Sequence, residues 1–167
     1  MYAKGRIILI SLCVLLVSVS VSAVDYKNWI PLLPETLGGL AKSDEPDGIN
    51  MDMGGQSWSS LSQEYSDNAN KSISLIIVSG IVAPQVQAFQ AMSQMQMETQ
   101  DVLVKTLNVS GYRAVFQLDK EDKKGILTIS VNQQTMVIID VEPTTRQSEL
   151  VAVAKEVPLG KIAAQGE

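Results

Sequence analysis

The chain has 167 residues, 18 Asp and Glu against 13 Lys and Arg, no histidine and one cysteine. Without an imidazole, Ser-His-Asp catalysis, Cys-His catalysis and His-based zinc sites are excluded within the chain. Cys13 lies in the first apolar segment, so the remainder offers no thiol nucleophile, disulfide or thiolate metal site.

Residues 1–23 carry the three parts of a secretory signal in order. Lys4 and Arg6 make a positive start, Ile7 to Val17 is apolar apart from Ser11 and Cys13, and Ser18 to Ala23 is rich in small residues. Val21-Ser22-Ala23 places the expected cut after Ala23. The apolar run is 11 residues, and a membrane span needs roughly 20. Counting on to Val24 lengthens the stretch, so a retained anchor stays open beside cleavage. Leu12 before Cys13 argues against a lipoprotein. Cleavage leaves 144 residues, one ordinary domain, with 11 Lys and Arg against 18 Asp and Glu. That net charge of −7 repels nucleic acid and anionic lipid. No later segment is apolar enough to span a bilayer, so the expected location is periplasmic or extracellular.

Residues 24–56 read as an N-terminal short helix and linker packing on a domain of residues 57–167. Pro34-Glu35-Thr36-Leu37 can begin a short helix that Gly38-Gly39 ends. Ala41 to Gly55 reads as linker, with a turn cluster at Asp44 to Gly48. Trp58 to Tyr65 and Lys71 to Ser79 read as paired strands. The second has β-branched residues on both faces and belongs in the middle of a sheet. Gln85 to Met97, with Val86, Phe89 and Met92 at helical spacing, predicts an amphipathic helix.

From Asp101 the period is two. Asp101 to Val109, Tyr112 to Asp119, Ile126 to Asn132 and Thr135 to Glu142 predict four strands with hairpin-length links, an antiparallel meander. Tyr112, Ala114, Phe116 and Leu118 share one face of their strand, with Phe116 in the sheet–helix core. Arg113, Val115, Gln117 and Asp119 share the other. Thr145 is the expected N-cap of a final helix that ends before Pro158.

The fold class expected is α+β: an antiparallel sheet of about six strands with flanking helices. This order of elements resembles the PsbP-like fold, named for a subunit of the photosynthetic oxygen-evolving complex. No functional motif of that family matches, so no site residue is carried over. Trp29-Ile30-Pro31-Leu32-Leu33-Pro34, Met53-Gly54-Gly55, Gly111-Tyr112-Arg113-Ala114 and Gly125-Ile126-Leu127 are similar to segments of a group of exported prokaryotic proteins. That similarity implies a location and a fold, not an activity.

Methionine is the compositional oddity. Met51 and Met53, and Met92, Met95 and Met97, form two short clusters. Thioethers are soft ligands suited to Cu(I) or Ag(I) and stay available in an oxidising compartment. Methionine also fills irregular core gaps, which is its commoner use. A metal site needs Met51 or Met53 to meet Met92 or Met95. The acidic run Asp44, Glu45, Asp47 and Asp52 lacks the alternate spacing of a calcium loop. Lys71 and Ser72 are neighbours on a strand and point to opposite faces, which disfavours a Ser/Lys pair. Lys120 to Gly125 reads as a solvated hairpin tip. These features favour a non-catalytic binding or structural module of the cell envelope with no cofactor, its partner an envelope protein or a small ligand. The alternatives are a soft-metal protein using Met51, Met53, Met92 and Met95, and an enzyme without His or Cys chemistry.

Overall fold

The computed structural model describes residues 23–67 and 70–165, so the expected signal peptide lies outside the described residues except for Ala23. Two turns of 3-10 helix, Tyr26–Asn28 and Ile30–Leu32, open the described chain. They seat Trp29, which is fully buried.

Gly38-Gly39 does not end a helix. Both glycines take positive φ, 57° and 81°, and link β1 (Thr36–Leu37) to β2 (Leu40–Lys42). A two-residue I′ turn requires positive φ at both positions, and a glycine pair meets that demand as readily as a helix stop. Gly54-Gly55, at 63° and 82°, links β3 (Asp47–Met53) to β4 (Gln56–Ser66) in the same way. The segment 41–55, read from sequence as linker, therefore supplies strands.

The chain continues through β5 (Ser72–Ser79), α1 (Pro84–Met92), β6 (Met97–Glu98), β7 (Val102–Val109), β8 (Tyr112–Asp119), β9 (Lys124–Ser130), β10 (Thr135–Glu142), α2 (Gln147–Glu156) and α3 (Leu159–Ala164). Among the described residues the strands join one antiparallel sheet of ten, in the order β1-β2-β4-β5-β10-β9-β8-β7-β6, with β3 also on β4. The sequence pattern predicts about six strands; the additional ones are β1, β2, β3 and β6. β7 to β10 form the predicted meander, and β5 pairs along its whole length with β4 and β10. Among the described residues no helix is long and apolar enough to cross a membrane.

The sheet has a core on each face. Phe116, Leu127, Ile139 and Leu61 meet the 3-10 turns, α2 and α3 in the larger one. Val78, Val104, Val115 and Met136 meet Ala83, Val86 and Phe89 in the smaller one. Burial along the central strands shows how far α1 reaches. Ile77, Val78 and Ser79 are all buried, as are Thr135, Met136 and Val137, because α1 covers that end of the second face. Toward the other end burial alternates, and Ile76, Ile126 and Ile138 are half-buried.

Three helix boundaries differ from the sequence reading. α1 stops at Met92 rather than Met97, because Ser93 caps it and the chain turns into β6. α2 starts later than Thr145 implies, with Arg146 at the N-cap and no side-chain cap. Pro158, expected as a stop, also sits at the N-cap of α3. Ahead of α2, the Thr144 hydroxyl accepts from the Arg146 backbone N–H and donates to Glu149, which also pairs with Lys71. Burial pushes the Glu149 carboxyl up, but the hydrogen bonds from Lys71 and Thr144 outweigh it and hold it below its ordinary 4.5. A carboxyl depressed on folding stabilises the fold above its unfolded value, and that contribution is lost as pH falls through the folded value. Urea midpoints should therefore decline on acidification below about pH 4.5, and Glu149→Gln should decline less steeply. Identical acid slopes for the two proteins would show that Glu149 does not contribute.

Candidate functional site

The main concavity of the second face follows from the register. Val78 pairs with Met136, Met136 with Ser130, Ser130 with Arg113, and Arg113 with Asn108. Directly paired residues share a face, so these side chains form one row across β5, β10, β9, β8 and β7. The row runs from apolar to polar and contains no acid. α1 crosses above it with Val86 and Phe89 turned down to the sheet, held by its apolar spacing. The helix does not close over the whole row. A cleft of 420 Å³ remains, walled by Ile81, Phe89 and Met136 on the apolar side and by Gln90, Ser93, Ser130, Gln133 and Arg113 on the polar side.

Arg113 is exposed on β8 and donates through Nη2 to the Ser93 carbonyl at 2.6 Å. The Thr106 hydroxyl donates to the same carbonyl at 3.2 Å. Ser93 follows the last turn of α1, where backbone carbonyls lack helical partners and a cation is favoured. One guanidinium thus anchors the helix end and borders the cleft. Among the described residues it has no ion pair, whereas Lys71, Lys120, Lys124 and Arg146 each stand within 4.0 Å of a carboxylate. Ser130 donates its hydroxyl to the Asn132 carbonyl at 3.0 Å, so its oxygen remains able to accept. Ile81, 57% exposed, also lines a smaller hollow of 190 Å³ with Gly55, Ser57 and Gln134.

The methionines of the two clusters stand on different elements. Met51 is half-buried on β3, opposite Trp58 of β4. Met53 ends the same strand. Met92 ends α1 and packs half-buried on the smaller core, at the point where Ser93 is bonded from β7 and β8. Five strand spacings, about 24 Å along the sheet, lie between β3 and β8. Met95 is 46% exposed beyond the helix end, and Met136 is buried in the cleft floor.

The other sequence candidates lie apart from the cleft. Asp47 and Asp52 are five residues apart on β3 and so face opposite ways. No three acidic, His or Cys residues come together to hold a metal ion among the described residues. Lys71 is engaged by Glu149. In the Lys120 to Gly125 segment, Lys124 is drawn to Asp140 at 2.9 Å, whose hydrogen bond raises its pKa. The place of Arg113 on the Val115 face is legible in the sequence; its lack of an acid partner among the described residues is not.

No protein-family model, curated protein or solved structure matches this chain.

Proposed function

We propose that the protein is an exported, non-catalytic binding module of the cell envelope, and that the cleft between α1 and the sheet holds a small ligand. The observation that carries the ligand reading is the cleft: 420 Å³, apolar along one wall, with a few converging polar groups along the other. Small-molecule sites have that volume and that mixture of linings. Gln90 and Gln133, whose side chains make no hydrogen bond among the described residues, border it as adaptable donors and acceptors. Export rests on the order of charges, apolar run and small residues in 1–23. A relation to the PsbP-like proteins belongs to the same proposal and rests on element order alone.

Two measurements test this reading. A small-molecule screen against isotope-labelled protein should yield ligands that shift Ile81, Phe89, Arg113 and Ser130 together. Shifts scattered over the surface, or confined to the α2 side of the sheet, would remove the cleft from the proposal. Intact-mass analysis of the exported protein should give a chain beginning at Val24. Recovery of residues 1–23 on a membrane-bound form would overturn cleavage.

A further inference from the structure

We infer that the α1 cleft selects small anions with an apolar body, carboxylates foremost, and orients them with the charged head at Arg113. This deepens the binding reading above and rests on it.

Charge supports the sign of the ligand. The chain carries a net −5, yet among the described residues no Asp or Glu lines the cleft or stands in the row of side chains beneath it. Arg113 is its only charged lining residue among those described. In an acidic protein whose other cleft-lining groups are neutral, a cation without a carboxylate partner is the feature that discriminates. It repels ammonium ligands and gives neutral ones only ordinary hydrogen bonds. A guanidinium has five N–H donors in a planar fork that matches a carboxylate in bidentate geometry. The Ser93 carbonyl engages Nη2 and so holds the fork in place before any ligand arrives.

The floor supports the shape. Met136 on β10 and Arg113 on β8 are two strand spacings apart, about 10 Å. The apolar body would lie over Met136 between Ile81 and Phe89, with the head beyond Ser130. The cleft volume of 420 Å³ falls within the range of small-molecule sites. That admits a medium-chain or aromatic acid.

Octanoate, octanamide and octylammonium have the same tail and differ in the head, so they separate charge selection from apolar binding. Titrated into the isotope-labelled protein, octanoate should bind at least about 10-fold tighter than octanamide, with octylammonium weakest. Arg113→Gln should bring octanoate and octanamide to within about 3-fold of each other, and Arg113→Lys should keep part of the preference. Because Arg113 also holds the end of α1, the Phe89 and Met92 resonances report whether the helix stays seated in the variants. The comparison of heads on the unaltered protein does not depend on them. Equal binding of octanoate and octanamide at the cleft would overturn the anion inference and leave the cleft as a binding site. Failure of all three probes to shift cleft residues would overturn both.

Discussion

Phe116→Ala lowers the free energy of unfolding by about 3–5 kcal/mol. The side chain is fully buried in the larger core, in the middle of β8, with Ala114 and Leu118 on the same face. Its strand is bonded on both sides, Phe116 pairing with Lys105 of β7 and Leu127 of β9. Strands tied into a sheet cannot move in to fill the space a ring leaves, so the loss contains a cavity contribution as well as lost burial. Ala114, already small, cannot help. Phe89→Ala is the useful contrast. Phe89 is also nearly buried, but it borders the open cleft under a helix that can shift, so its loss should be smaller. Urea unfolding with an unchanged m-value measures both. A change below about 1 kcal/mol for Phe116→Ala would mean that its face of β8 is not the core face.

The same alternation that puts Phe116 inward makes much of the sheet legible in the sequence. β5 and β7 to β10 combine β-branched density with short links, and nothing local competes with that reading. The strands that sequence does not reveal fail for identifiable reasons. Gly38-Gly39 and Gly54-Gly55 satisfy a helix stop or loop as well as a I′ turn, and only the pairing partner decides between them. β3, Asp-Gly-Ile-Asn-Met-Asp-Met, has poor strand propensity. It exists because β4 is 11 residues long and leaves a free edge beside Gln56 to Ser62. α1 has an apolar spacing that runs past its real end. What stops it is tertiary: β7 and β8 side chains holding the Ser93 carbonyl.

The candidate site was less legible than the fold. Composition draws attention to methionine, because seven in 167 residues is conspicuous and two clusters suggest a shared purpose. Position along the chain says nothing of position across the sheet: Met51 and Met53 lie on β3, whereas Met92 ends α1 next to the Ser93 carbonyl that β7 and β8 hold. Arg113 is the reverse case. One arginine on an alternating strand carries no signal by itself. Its meaning comes from what is missing around it, which only the assembled row of β5, β10, β9, β8 and β7 displays.

Gly80→Ala should lower the unfolding free energy by about 2–5 kcal/mol and deform the cleft. Gly80 joins β5 to the entry of α1 at φ +127°, a conformation that side chains rarely adopt. A Cβ there would lie 2.6 Å from the Ser57 carbonyl oxygen and 2.6 Å from Trp58 Cβ. Those atoms belong to β4, which is paired with β3 on one side and β5 on the other, so they cannot retreat. Gly80 would have to move instead. Its N–H donates to the Gln134 carbonyl at 2.9 Å, and its own carbonyl accepts from the Ala83 N–H at 3.0 Å. Movement therefore loosens both the β9–β10 turn and the start of α1, and Ile81 between them shifts at the cleft wall. Gly111→Ala separates strain from collision. Gly111 has φ +92° with nothing within 4 Å of the added carbon, so it should lose only the conformational part, about 1–2 kcal/mol. Paired denaturation curves decide the matter. Equal losses at the two glycines would mean that contact with β4 does not determine the geometry of the β5–α1 junction, and hence that this junction does not shape the cleft.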